Sequence, residues 1–183
     1  MANHCSNWIT LSGNPENLKK AVMFIREWLI EKYEHLPNQI LTDIPLKEWN
    51  EAERKDPYTG FGTKWIIISE ADLELSDNDD SISFQAESAW NPVNPFIKNL
   101  CIKFDINGEN QYEEGGCLIY GVYDYTEGME DDKTMSKGEY YRDVIPDSID
   151  GELEYFDLDD YEDLKSVLSK EQKLKILSNE FCE

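Results

Sequence analysis

Histidine and cysteine are scarce in this chain, and the few present lie far apart. Its 183 residues hold two histidines, His4 and His35, and four cysteines, Cys5, Cys101, Cys117 and Cys182. No H-x-x-H, H-E-x-x-H or C-x-x-C spacing occurs, so the common zinc sites are excluded and no metal or other cofactor is expected. The same scatter argues against a disulfide framework. The thiols are expected to be reduced, small apolar groups, and His4 beside Cys5 to be structural. Long apolar runs are missing too. The longest, Trp65-Ile66-Ile67-Ile68, falls far short of the roughly 20 residues that cross a bilayer. The N-terminal segment shows no basic stretch followed by an apolar one, so the expectation is a cytoplasmic protein. Phosphate-cradling loops are absent: Gly60-Phe61-Gly62-Thr63-Lys64 lacks the Walker spacing. Placing Gly151 or Gly108 at the invariant glycine of an EF-hand puts Pro146 or Lys103 at the first ligand position, which excludes that calcium loop.

Positive charge is the other deficit. Seventeen Lys and Arg face 39 Asp and Glu, a formal net charge of -22. Such a charge repels nucleic acid and anionic membranes, so neither is an expected direct ligand. The excess is uneven: residues 106–183 carry 22 acids and 7 bases, and residues 109–163 carry 19 acids and 3 bases, Lys133, Lys137 and Arg142. This segment still holds Tyr112, Tyr120, Tyr123, Tyr125, Tyr140, Tyr141, Tyr155, Phe156 and Tyr161, so it is composed to fold and not to remain a disordered acidic tail. With 40% hydrophobic and 12% aromatic residues overall, one domain with a real core is the default.

Periodicity outlines an α+β protein. His4 to Ser12 reads as a strand and Gly13-Asn14-Pro15 as the entry to a helix, in which Leu18, Val22, Ile25, Leu29, Tyr33 and Leu36 recur at steps of three and four. Residues 38–64 read as an irregular connection with one short helical turn near Leu46 to Arg54. Trp65 to Leu75 and Ser81 to Trp90 are predicted as a hairpin turning at Asp77-Asn78-Asp79-Asp80. Asn91-Pro92 opens a second helix carrying Phe96, Ile97, Leu100, Cys101 and Phe104, which Ile106-Asn107-Gly108 closes. Tyr112 to Tyr125 supplies a last strand or bent pair with a turn or bulge at Gly115-Gly116. The resulting order, β-α-β-β-α-β, is that of a ferredoxin-like antiparallel sheet with helices on one face. Glu127 to Ser148 reads as an acidic loop or extra strand. The C-terminus is helical, with a capping box at Ser169 to Gln172. The expected organisation is a core over residues 1–125 and an acidic extension over 126–183, its C-terminal helices packed on the same domain.

Three short segments resemble the YubB-type ferredoxin-like proteins of plasmids and bacteriophages. Asn3-His4-Cys5-Ser6-Asn7-Trp8-Ile9-Thr10-Leu11-Ser12-Gly13 resembles that family's opening, which usually has Trp where this chain has His4. Gly62-Thr63-Lys64-Trp65 is similar to its G-T-K-W signature, and Ala89-Trp90-Asn91-Pro92 to its W-x-P element. The resemblance covers about residues 3–125. It implies the ferredoxin-like fold and a mobile-element origin, and no activity.

Paired carboxylates such as Glu113 and Glu114 are the right residue types for acid/base catalysis, but that chemistry needs a pKa raised by burial, and acids in polar runs are ordinarily solvated. No enzyme is expected. The run Asp157-Leu158-Asp159-Asp160-Tyr161-Glu162-Asp163 reads as a helix start, where a carboxylate contributes about 0.3–1 kcal/mol against the macrodipole, or as a binding surface. Five acids in seven residues, preceded by Glu152 and Glu154, exceed what a helix start needs, which favours binding. The candidate partner-binding residues are Glu113, Glu114, Asp124, Glu127, Glu130, Asp131, Asp132, Glu139, Tyr140, Glu152, Glu154, Asp157, Asp159, Asp160, Tyr161, Glu162 and Asp163. The expectation is an acidic nucleic-acid mimic that blocks the basic groove of a host nucleic-acid-binding defence protein, of the anti-CRISPR or anti-restriction type. The alternative is a small protein-binding accessory domain whose charge serves solubility.

Overall fold

The computed structural model describes residues 3–33, 63, 66–68, 73–76 and 79–179, with side chains except at 28–33 and 179. Strand β1 (His4–Ser12) is followed by helix α1 (Pro15–Tyr33), β2 (Ile66–Ile68), β3 (Ser81–Ala89), helix α2 (Asn94–Phe104), β4 (Asn107–Glu114), β5 (Ile119–Thr126) and β6 (Met129–Met135). The six strands form one antiparallel sheet in the order β2-β3-β1-β4-β5-β6. The first four strands have the predicted ferredoxin-like arrangement, and a β5–β6 hairpin widens the sheet beyond β4.

Alternation assigns the faces. Cys5, Ile9 and Leu11 of β1 are buried with Ile82, Phe84 and Ala86 of β3 against Leu18, Val22 and Ile25 of α1 and Phe96, Ile97 and Leu100 of α2. Gly108 belongs to β4 and does not close α2 as the sequence suggested. The helix ends at Phe104, where Asp105 takes the left-handed conformation at φ 55° and donates its N–H to the Cys101 carbonyl. Glycine at 108 answers to packing: a Cβ there would lie 2.5 Å from Ile97 Cγ2 and 2.8 Å from Cys101 Sγ.

The segment from Tyr112 to Tyr125 is a pair of strands turning at Gly115 to Leu118, and the acidic stretch after it supplies β6. Glu127 (φ 52°) and Gly128 (φ 80°) make the two-residue β5–β6 turn, a geometry with both central residues at positive φ that matches strand twist. The turn at 127–128 therefore lies within the sheet, beside the position where the sequence suggested that a core ends. The expected turn near Leu46 to Arg54, the helix end at Leu36 and the Gly60-Phe61-Gly62 turn lie outside the described residues.

Four further helices follow: α3 (Lys137–Asp143), α4 (Ile149–Glu152), α5 (Leu158–Leu164) and α6 (Lys170–Asn179). They build a second core of Tyr140, Tyr141, Ile149, Leu153, Phe156, Leu164, Leu168 and Ile176 around Tyr120 of β5. Tyr120 alternates with Gly121 and Tyr123, which face α2, so these helices seat on the opposite side of the sheet from α1 and α2. The predicted Ser169 to Gln172 capping box is present: the Ser169 N–H donates to Gln172 Oε1 (2.6 Å), and the Gln172 N–H to Ser169 Oγ (3.2 Å).

Candidate partner-binding surface

The C-terminal helices cover one end of the sheet's second face. Strand register lays out the rest as rows of directly opposed residues. One row runs Gln85, Trp8, Gln111, Val122, Lys133 from β3 to β6; the next runs Ser83, Thr10, Glu109, Asp124, Asp131. Three carboxylates thus stand abreast on adjacent strands, which lie about 4.8 Å apart. Among the described residues none of the three has an ion pair; Asp124 accepts a hydrogen bond from the Thr126 hydroxyl at 3.1 Å. Glu109 and Asp131 are exposed and Asp124 is half-buried.

The acids of β6 that point to the other face behave differently. Asp132 accepts from Asn94 Nδ2 (3.0 Å) and the Tyr112 hydroxyl (2.7 Å), and Glu130 pairs with Lys98 and accepts from Tyr123. Asp132 also terminates a buried amide network: Asn110 Nδ2 donates to Asn94 Oδ1 (2.9 Å) and Asn7 Oδ1 (3.0 Å), and Asn7 Oδ1 also accepts from the Val93 N–H. These two acids hold α2 against the sheet.

Most of the C-terminal acids have internal partners as well. Asp157 and Asp160 form a reciprocal capping box at the start of α5, and Ser136 and Glu139 form one at the start of α3. Serine N–H and O–H donors hold the Glu139 carboxyl below its usual range. Glu162 pairs with Lys165, and Asp163 Oδ2 accepts from Ser136 Oγ at 2.5 Å. Three of the candidate partner-binding residues are buried. Glu114 accepts the Gly116 and Cys117 N–H groups and so shapes the β4–β5 turn. Asp160 caps α5 and lies 3.6 Å from Lys137 Nζ; burial pushes its carboxyl up. Tyr140 has no exposed surface, and its ring lies tilted at 44° to that of Tyr120 with centroids 5.7 Å apart. The run at 157–163 is thus mainly a helix start with its pairings, and Asp159 is its one exposed acid without a partner among the described residues. Glu127 and Glu154 are exposed at turns, whereas Glu152 and Tyr161 are half-buried.

Glu113 lies on the sheet face beneath the helical layer, within electrostatic reach of Glu152. Burial raises the Glu113 carboxyl, the Glu152 charge adds to this, and the Tyr141 hydroxyl and Lys137 oppose it. Glu113 Oε2 and the Tyr140 hydroxyl are buried without a partner among the described residues. The residue that sequence reading missed is Glu109. Its signal was indirect: the Glu-Gly turn at 127–128 and the Gly115-Gly116 turn together set the register that brings Asp124 and Asp131 beside it.

The motif segments also converge, at one end of the sheet. Trp90, at φ 63°, donates its N–H to the Asn3 carbonyl (3.0 Å), and Thr63 Oγ1 both donates to the Ala89 carbonyl (2.8 Å) and accepts the Ala89 N–H (2.9 Å). Ser88 Oγ donates to the Asn91 carbonyl and accepts from Asn7. These residues close the end of the sheet, a structural role. Cys5, Cys101 and Cys117 are free thiols, and His4 Nδ1 lies 2.8 Å from Glu87 Oε2. Among the described residues no cluster of three or more His, Cys, Asp or Glu is placed to hold a metal ion, and no helix is long and apolar enough to cross a membrane.

Sheet order and helix placement define a ferredoxin-like α+β domain. In keeping with this, residues 70–159 match the family described as the ferredoxin-like domain in Api92-like protein. The matched stretch includes the β5–β6 hairpin and much of the acidic segment. No curated protein and no solved structure matches the chain.

Proposed function

We propose that the protein is a non-catalytic inhibitor of mobile-element origin that places its acidic surface in the basic nucleic-acid groove of a host protein, a defence nuclease or its complex being the target class. The observation that carries this reading is the row Glu109–Asp124–Asp131. Like charges directly opposite one another on neighbouring strands destabilise a sheet, and a cationic partner turns that cost into binding. Carboxylates would meet the Lys and Arg groups that otherwise hold phosphates. The mobile-element origin rests on the resemblance of the three short segments.

The test is competition. Bound to a basic nuclease complex from a bacterial host, the protein should be displaced by that complex's own nucleic acid, and association should slow steeply between roughly 50 and 500 mM salt. Binding that ignores salt, or that coexists with bound nucleic acid, would overturn the reading. A second reading, a protein-binding accessory domain engaged by apolar contact, is favoured by Tyr155 and Leu174, 63% and 61% exposed on the helical layer. Salt-insensitive binding lost on Tyr155→Ser and Leu174→Ser would establish it.

A further inference from the structure

We infer that the part of the sheet's second face that the C-terminal helices leave free is the docking surface, and that it takes an arginine- or lysine-bearing segment of a partner protein, the cation seated over Trp8 and against Glu109, Asp124 and Asp131. This rests on the partner-binding reading above and names the surface and the chemistry of its occupant.

The argument is one of placement and charge. Trp8 is a half-buried indole on this face, directly opposed by exposed Gln85 on β3 and exposed Gln111 on β4, with Val122 further along the same row. Its diagonal neighbours on the two adjoining strands, Ser83 and Glu87 of β3 and Glu109 and Glu113 of β4, are polar as well. Glu109 is Trp8's diagonal neighbour on β4, about 7–8 Å away, within the reach of one long side chain. A cation within about 6 Å of the ring centroid gains from the indole quadrupole. A guanidinium lying along the strand direction meets the ring and the first carboxylate together, and Asp124 and Asp131 extend the same row for the next basic residue.

Internal use does not account for the row. The base on this face nearest in register, Lys133, stands opposite Val122, and its charge acts on Glu139 and Asp143 of α3. Glu130 and Asp132, one residue away on β6 but on the other face, have Lys98, Asn94, Tyr112 and Tyr123 as partners. Among the described residues, therefore, the acids used for packing have ion-pair or amide partners and this row has no ion pair. Phosphate-bearing ligands are repelled by the same charges, which leaves a basic protein segment as the complementary occupant.

The full chain is titrated with a nona-arginine peptide and with an uncharged Gly/Ser peptide of equal length, by calorimetry and by indole N–H NMR, at about 50 mM salt. The Trp8 indole signal, assigned from Trp8→Phe, should move on addition of nona-arginine and stay in place with the uncharged peptide. Neutralising Glu109→Gln, Asp124→Asn and Asp131→Asn together should weaken binding about tenfold. Trp8→Leu should weaken it about two- to fivefold. A control triple with the same change in charge, Glu127→Gln, Glu154→Gln and Asp159→Asn, should change affinity less than about twofold. Equal losses in both triples, or a Trp8 signal that does not move, would overturn the proposal. If Trp8→Leu fails to fold, the wild-type indole shift decides. A peptide that binds this row while nucleic acid fails to compete for the nuclease complex defeats the mimic reading and leaves the surface standing. Competition that survives neutralisation of the row defeats the surface and leaves the mimic.

Discussion

Replacing Gly138 by alanine sets two effects of opposite sign against each other. Gly138 lies in the first turn of α3, where alanine is the better helix former by at most about 1 kcal/mol. A Cβ there would lie 2.7 Å from Asp163 Cβ, 2.9 Å from the Asp160 carbonyl oxygen and 3.1 Å from Asp160 Cα. Optimal carbon contacts are about 3.5–4.0 Å, and two of these three neighbours are main chain of α5, which cannot rotate away. Overpacking of this kind costs about 1–3 kcal/mol, so crowding wins and the expected net loss is about 1–2 kcal/mol. For a domain of this size that lowers Tm by about 2–8 °C. Calorimetry measures the shift, and amide exchange locates it: protection should fall in 137–143 and 158–164 before it falls in β1 and β4. A Gly138→Ala protein as stable as the parent, or one that loses protection first in the sheet, would refute the close approach of α3 and α5.

The remaining predictions concern titration, capping and thiols. Because the folded state raises the Glu113 carboxyl, stability contributed by its neutral form is full below the unfolded pKa and is lost as pH rises through the folded one. Glu113→Gln should therefore be more stable than the parent at neutral pH, with the gain vanishing below about pH 4; urea titrations across that range would show a constant difference if burial were not the cause. Asp157→Ala should cost about 1 kcal/mol by removing the α5 cap, read from urea denaturation; an unchanged midpoint would mean that the Asp157–Asp160 box contributes nothing. Under native conditions exposed Cys117 should be the first of the described thiols to react with a disulfide reagent, because burial pushes Cys5 and Cys101 up to about 12. After denaturation without reductant all four cysteines should titrate, and a count of two would reveal a disulfide.

Several elements could be read from local pattern because the causes are local. Alternation in His4 to Ser12, the three- and four-residue spacing from Leu18 to Ile25, and the capping box at Ser169 each depend on neighbours within a turn or a strand. The end of α2 was misread because Gly108 resembles a stop signal; it is required by Ile97 and Cys101, which lie on another element. Residues 127–148 were ambiguous because charged side chains hid a strand whose pairing comes from β5.

By itself the sequence determined the α+β class, the strand and helix order through β4, and the amount and sign of charge, all of which depend on residue type and short-range spacing. Only the tertiary structure decided which acids lack an ion pair among the described residues. Glu109, Asp124 and Asp131 are separated by 15 and 7 positions, and nothing in their spacing marks them as a group. They stand abreast because two turns fix the register of three strands, and a shift of one residue would send alternate side chains to the opposite face. Glu114, Tyr140 and Asp160 look from the sequence like members of the same acidic, tyrosine-bearing surface. Tyr140 and Asp160 are buried because the C-terminal helices fold back over one end of the sheet, a long-range contact set by apolar side chains elsewhere in the chain, whereas Glu114 points to the other face and is taken up by the β4–β5 turn.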